Sequence, residues 1–243
     1  APPPKYPTVT AAIGVNNRPL LDAATKTRQS KLYRVTFNFV MSAGEDGQVK
    51  SQPFLAFDGE INGETNRILY NGGAFNEMLG GGNRIEMISI PNKTYLKGTD
   101  LYGTTDAGQW YVLPDSGITK PPFDVDDMLL LTGDDFSAAK TVGVMSVDGQ
   151  ACQQWLLDFR ARAGALLDMT GADTTSDINV VDSAEARFTA CADGYLHAMQ
   201  WHVTTHSASH ATDTGALAIA VRLFDFDAQN IIITAPDGAI ELR

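Results

Sequence analysis

The sequence predicts a mainly β protein of the α+β kind, built on one large curved antiparallel sheet with short helices at its open side. Three observations predict it. Apolar and polar residues alternate with period two through most of the chain, in about ten runs of strand length. The runs are joined by short turns, among them Asp148-Gly149 and Asp193-Gly194, which favour antiparallel neighbours. Helical segments are few and do not alternate regularly with strands, so βαβ units are not expected.

The chain opens Ala1-Pro2-Pro3-Pro4-Lys5-Tyr6-Pro7, and residues 1–15 read as a Pro-rich linker at a processed or trimmed start. An export signal or lipid anchor upstream is the matching expectation, and residues 16–243 are expected to form one domain. Pro19–Lys26 reads as a short amphipathic helix with Pro19 in its first turn and Asn16 or Asn17 as cap. The clearest strand follows, Leu32–Met41, with Tyr33, Val35, Phe37, Phe39 and Met41 on one face. Gly44–Gly47 is a turn. Phe54–Phe57 and Glu64–Tyr70 are strands, and Gly80-Gly81-Gly82 is a flexible loop. Arg84–Ile90 and Thr94–Leu96 are strands joined at Pro91-Asn92-Lys93. Gln109–Leu113 is a strand ended by Pro114. Beyond Pro121-Pro122, Val125–Leu131 is expected to be helical behind Asp124.

Lys140–Val147 and Ala151–Phe159 are strands, with Trp155, Leu157 and Phe159 sharing a face of the second. Ala161–Met169 is expected to be helical. Arg187–Cys191 and Tyr195–Thr204 form a hairpin, the latter with Met199, Trp201 and Val203 on one face. Gly215–Asp225 and Asn230–Thr234 complete the strands, and Phe224-Asp225-Phe226-Asp227 reads as a strand edge with one wet face. No repeat of fixed period is present.

The chain has 243 residues and a formal net charge of -11. An acidic surface without Lys/Arg runs disfavours phosphate backbones, so nucleic acid is excluded as an expected partner. No stretch approaches eighteen consecutive apolar residues, so no spanning helix is expected in these residues. Two cysteines, Cys152 and Cys191, suggest one disulfide in an oxidising compartment, the alternative being two buried thiols.

Candidate chemistry is sparse. His202, His206 and His210 stand four apart, a spacing that on a helix stacks imidazoles for a transition metal. They fall instead on a strand and its Ser/Thr-rich tip, where solvated histidines are the plainer reading. No G-x-S-x-G elbow occurs. The carboxylates at Asp124, Asp126, Asp127, Asp134 and Asp135 lack the calcium-loop spacing. Gly80-Gly81-Gly82 lacks the Lys-Ser/Thr of a phosphate loop. No cofactor and no enzymatic activity are expected.

The aromatic strand faces say more. One curved sheet has no second sheet to pack on, and a few short helices do not cover ten strands. The remaining apolar face is then a lined pocket or a binding patch, with a solid core as the alternative.

The order of elements, with its short helix, Tyr33-Arg34-Val35-Thr36-Phe37, Arg84–Ile90, Asn92–Leu96, Trp110-Tyr111-Val112 and the turns Val147–Gln150 and Asp193-Gly194-Tyr195, resembles the bacterial LolA/LolB-like and LppX/LprG-like lipoprotein group over roughly residues 17–235. The resemblance implies a half-open, strongly curved antiparallel β-barrel capped by helices, in the periplasm or cell envelope. It implies a cavity for lipid acyl chains or a lipoprotein, no catalysis, and a membrane or envelope protein as a further partner. The cysteine pair does not map onto the group. Carried onto this chain, the ligand-binding candidates are Tyr33, Val35, Phe37, Phe39, Trp155, Leu157, Met199 and Trp201. The alternatives are an envelope interaction module with a filled core, or a metal-binding protein using His202, His206 and His210.

Overall fold

In the computed structural model, the described residues are 17–45, 48–74, 77, 81–99, 106, 108–113, 136–163 and 179–241. The elements in order are α1 (Arg18–Gln29), β1 (Leu32–Glu45), β2 (Gln48–Asn62), β3 (Thr65–Tyr70), β4 (Gly81–Ile90), β5 (Lys93–Thr99), β6 (Tyr111–Val112), β7 (Lys140–Val147), β8 (Gln150–Asp158), a 3₁₀ turn (Arg160–Arg162), β9 (Asn179–Cys191), β10 (Leu196–Ser207), β11 (Thr214–Phe224) and β12 (Ile240–Glu241). Among the described residues, no helix is long and apolar enough to cross a membrane.

Among the described residues, all twelve strands belong to one sheet, in the order β12-β6-β5-β4-β3-β2-β1-β11-β10-β9-β8-β7. Two meanders, β1 to β6 and β7 to β11, run outward from a common seam where β1 pairs with β11. Every pairing is antiparallel except β12 with β6. β7 and β12 do not pair with each other, so the curved sheet stays open, as the half-open barrel expectation requires.

The turn at Asp148-Gly149 shows why the hairpins are tight. Both residues take positive φ, 51° and 81°, as a two-residue primed turn needs to match the strand twist. At the seam between β1 and β2, Gly59 lies opposite Val35, where an added Cβ would come within 2.7 Å of Val35 Cγ1 and 2.9 Å of Ile68 Cδ1. Glycine there lets three strands pack closely.

Several expectations are corrected. β2 begins at Gln48 rather than Phe54, because its polar first half lacks alternation yet still pairs with β1. Pro53 is accommodated where the β1–β2 register shifts at Phe39/Val40, a position that tolerates a missing N–H. Gly81-Gly82 is not loop but the start of β4, paired through Gly81 with Thr99. β9 begins at Asn179, eight residues before the expected Arg187. The expected strand Gln109–Leu113 is reduced to Tyr111–Val112.

Asn230–Thr234 is irregular rather than a strand. Of its three isoleucines, Ile231 is 2% exposed, Ile232 76% and Ile233 half-buried, and Asn62 Nδ2 donates to Ile231 O. Asp225 and Asp227 take positive φ, so Phe224-Asp225-Phe226-Asp227 turns away from β11 instead of forming a strand edge. That turn stacks Phe226 on Tyr195 with ring centroids 4.0 Å apart.

Helix α1 runs longer than Pro19–Lys26. Asn17 is at its N-cap but makes no capping bond, and its Nδ2 donates instead to Ser137 O. Of the expected helix over Ala161–Met169, Ala161 and Arg162 belong to the 3₁₀ turn, Ala163 is helical, and the remainder lies outside the described residues. The Pro-rich opening, the Val125–Leu131 helix and the Asp124–Asp127 and Asp134-Asp135 clusters also lie outside them.

Candidate functional site

The inner face of the sheet is assembled row by row from the strand registers. One row crosses eight strands: Ile85, Tyr70, Phe57, Phe37, Val221, Met199, Phe188 and Trp155 are successive partners from β4 to β8. Each of these side chains is buried. Phe37 stacks on Phe57 at 4.9 Å and 10°, and Phe57 meets Tyr70 edge-on at 5.9 Å. A second row, toward one end of the strands, runs Leu55, Phe39, Ile219, Trp201, Ala186, Leu157. A third, toward the other end, runs Leu96, Met87, Ile68, Gly59, Val35, with Leu223 beyond. These rows exist because the pleat sends every second residue to one face.

Helix α1 lays Leu20, Ala23, Ala24 and Thr27 against this core, and Thr27 Oγ1 accepts from Leu196 N–H at 2.8 Å. Lys26 Nζ donates to Asp193 O at 2.6 Å and lies over the Tyr195 ring. Phe136 adds an edge-on contact to Phe188 at 5.2 Å.

Packing is looser at one end. Met41, Phe54, Val181 and Ile219 contact the core but are only partly buried, and Phe54 tilts against Phe39 at 5.1 Å. Met41, Phe54 and Val181 sit toward the end where β1 runs into β2, past the Phe39–Trp201 row, and Ile219 lies within that row.

The inner face also holds polar groups. Asn66 is 1% exposed, Ser89 7% and Thr94 6%. Asn66 pairs with Ser89 and Ser89 with Thr94, so the three form one row across β3, β4 and β5 at the end opposite the looser rim. The indole N–H groups of Trp155 and Trp201 are buried without hydrogen-bond partners.

The structure therefore brings the expected candidates together. Tyr33, Val35, Phe37, Phe39, Trp155, Leu157, Met199 and Trp201 all lie in one core cluster, each below 9% exposure. Sequence reasoning passed over Phe57, Tyr70, Val221 and Phe188, which occupy the central row, and the polar row of Asn66, Ser89 and Thr94. A parity signal for the polar row was available, since Asn66 shares the parity of Ile68 and Tyr70, and Ser89 that of Met87 and Ile85.

The cysteines form a disulfide between paired positions on β8 and β9. The histidines do not gather. His202 and His206 alternate with the buried Met199, Trp201, Val203 and Thr205, so they face outward, and His206 Nδ1 lies 2.7 Å from Asp182 Oδ1. His210 sits in the hairpin tip, its Nδ1 3.1 Å from Ser209 Oγ. Among the described residues no three His, Cys, Asp or Glu side chains are grouped to hold a metal. His197 is buried and pairs through Nε2 with Asp193 Oδ2 at 2.8 Å.

Two tyrosine hydroxyls are shifted upward. Burial raises that of Tyr70, while donation to Asp227 Oδ2 at 2.7 Å, and then burial, pushes Tyr195 up to about 12. On the outer face a depression of about 300 Å³ is bordered by Arg34, Asp58, Glu60, Arg67, Arg84 and Glu86. Its charges are largely paired with one another, Arg34 with Glu60 at 3.0 Å and Arg67 with Glu86 at 2.6 Å.

No protein-family profile matches the chain, and no curated protein does. Solved structures are similar to it along most of its length. The Mycobacterium tuberculosis lipoprotein LppX shares 12% identity over 89% of this chain and 97% of its own, with a TM-score of 0.42. LprF from Mycobacterium bovis shares 13% over 90% and 96%, with a TM-score of 0.46. A LolA superfamily protein from Nitrosomonas europaea shares 8% over 90% and 98%, with a TM-score of 0.28.

Proposed function

We propose that this chain is an extracytoplasmic, non-catalytic carrier or binding protein that holds a hydrophobic ligand, a lipid acyl chain or a lipoprotein, against the inner face of its open sheet. The observation that carries the reading is the apolar row across eight strands of a sheet that does not close on itself. Among the described residues no second sheet lies over this buried apolar layer, and an apolar ligand is a natural partner for such a face. Tyr33, Val35, Phe37, Phe39, Trp155, Leu157, Met199 and Trp201 are the proposed ligand contacts. The Cys152–Cys191 disulfide supports an oxidising compartment, periplasm or cell envelope. A membrane or envelope protein is the proposed partner for loading, and residues 16–243 are proposed to act as one unit behind the 1–15 linker.

One observation favours a second reading, an envelope interaction module with a filled core: all eight proposed contacts are already buried. Native mass spectrometry and solvent extraction of detergent-free protein, followed by titration with N-phenyl-1-naphthylamine, separate the two. The carrier retains an amphiphile and, once stripped, binds the dye saturably. Absence of both would overturn the carrier reading in favour of the module.

A further inference from the structure

The row formed by Asn66, Ser89 and Thr94 is out of place on a surface built only to pack or to hold hydrocarbon. Its neighbours on the same face are Ile68 and Tyr70 on β3, Met87 and Ile85 on β4, Leu96 on β5, and Ile61 opposite Asn66 on β2. Within this apolar surround, neither the carboxamide oxygen nor the carboxamide nitrogen of Asn66 has a hydrogen-bond partner in the protein, and neither has Ser89 Oγ. A carboxamide offers two donors and an acceptor with two lone pairs, and a hydroxyl both donates and accepts. Burying such groups unpaired is unfavourable, and an alanine or leucine at either position would avoid the penalty. Retaining them on directly paired positions of adjacent strands concentrates unused hydrogen-bonding capacity at one end of the face.

We propose that this row is a hydrogen-bonding station for the neutral polar group of an amphiphile, a carbonyl joined to a hydroxyl-bearing moiety as in an acylglycerol. The proposal rests on the carrier reading above. A carbonyl oxygen accepts from Asn66 Nδ2, and a hydroxyl donates to Asn66 Oδ1 and exchanges a bond with Ser89 Oγ. A neutral group fits because, among the described residues, the inward side chains Asn66, Ile68, Tyr70, Ile85, Met87, Ser89, Thr94 and Leu96 of β3, β4 and β5 include no cation to meet a carboxylate or phosphate.

The test uses the full chain, stripped of amphiphile, and two probes that share a chain but differ in the head: 1-monolauroylglycerol and dodecane. Each is read by displacement of N-phenyl-1-naphthylamine from the parent protein, Asn66→Leu and Ser89→Ala. Both substitutions remove polar atoms from an apolar surround, and a thermal melt confirms that each variant folds. The expected result is about a tenfold loss of monolauroylglycerol affinity in Asn66→Leu and a smaller loss in Ser89→Ala, with dodecane displacing within about twofold of parent in both. Unchanged monolauroylglycerol affinity in both variants, with the dye and dodecane still bound, overturns the station and leaves the carrier reading standing. Equal losses for both probes also overturn it, since they show altered packing rather than a lost hydrogen bond. Failure of the parent to bind either probe removes the carrier reading and the station with it.

Discussion

Replacing Phe37 by alanine tests the face assignment on which the site depends. Phe37 is 4% exposed, lies at the middle of the eight-strand row, and stacks on Phe57 at 4.9 Å. Removing a fully packed phenyl ring leaves a cavity and loses its transfer free energy, together about 3–5 kcal/mol. The unfolding entropy of a chain of 243 residues is about 0.5 kcal/mol/K at roughly 2.1 cal/mol/K per residue, so 4 kcal/mol lowers the melting midpoint by about 8 °C. The neighbouring Asn38 is exposed on the other face, and Asn38→Ala is expected within about 0.5 kcal/mol, or 1 °C. Scanning calorimetry on amphiphile-stripped protein, checked by tryptophan fluorescence, gives both numbers. A one-residue slip of β1 would exchange the two effects, because each step along a strand inverts the face. A shift below about 2 °C for Phe37→Ala, or a larger one for Asn38→Ala, would refute the assignment.

Removing the disulfide as Cys152→Ala/Cys191→Ala, which closes a sequence separation of 39, is expected to lower stability by up to about 4 kcal/mol from loop entropy, read as a lower urea midpoint with a steeper slope. Gly59→Ala drives a methyl into Val35 and Ile68 and is expected to lose about 2 kcal/mol, most of it recovered in Gly59→Ala/Val35→Ala, where room is made; additive effects in that cycle would contradict the crowding. Tyr195 keeps its proton in the fold up to about 12, against about 10 in an unfolded chain, so its stabilisation is complete below pH 10 and lost as pH rises through 12. The alkaline fall in urea midpoint over that window is expected to be shallower in Tyr195→Phe, and an identical fall would remove Tyr195 from the account.

The alternation of Leu32–Met41 was legible because the strand has one buried and one wetter face, so the pleat writes itself into the residues. The candidates on β1, β8 and β10 were legible for the same reason. β2 was not, because its first half is polar on both faces and is a strand only through its pairing with β1. The seam between β1 and β11 is a contact between distant segments that no local pattern encodes. Asn230–Thr234 misled in the opposite direction: its isoleucines have strand propensity, but Ile231 is fixed by Asn62 and by burial against the chain, and propensity yields to tertiary context. The polar row escaped because asparagine and serine are ordinary surface residue types; parity places Asn66 and Ser89 on the inner face, but only the register sets them side by side.

A face that is already packed and a face that takes up an acyl chain are compatible, and the length dependence of affinity shows how. Each methylene removed from water is worth about 0.8 kcal/mol, or roughly fourfold in affinity, where nothing is displaced. That condition holds best at the rim, where Met41, Phe54, Val181 and Ile219 are partly exposed and extra apolar surface meets a ligand without loss of existing contacts. Two residues along β1 separate Met41 from Phe39, about 7 Å at 3.4 Å per residue. Past that depth the ligand meets Leu55, Phe39, Trp201 and then the central row, all buried, and must exchange for contacts these side chains make with one another. In a series of straight-chain alcohols displacing the dye, the affinity is therefore expected to rise near fourfold per carbon for short chains and to flatten once the chain exceeds that depth. An undiminished slope through long chains would mean that the interior opens freely, and the packing of the central row would then contribute little to excluding ligand. No dependence on length at any point would mean that the dye reports a surface patch, and the apolar rows would revert to a core that serves only the fold.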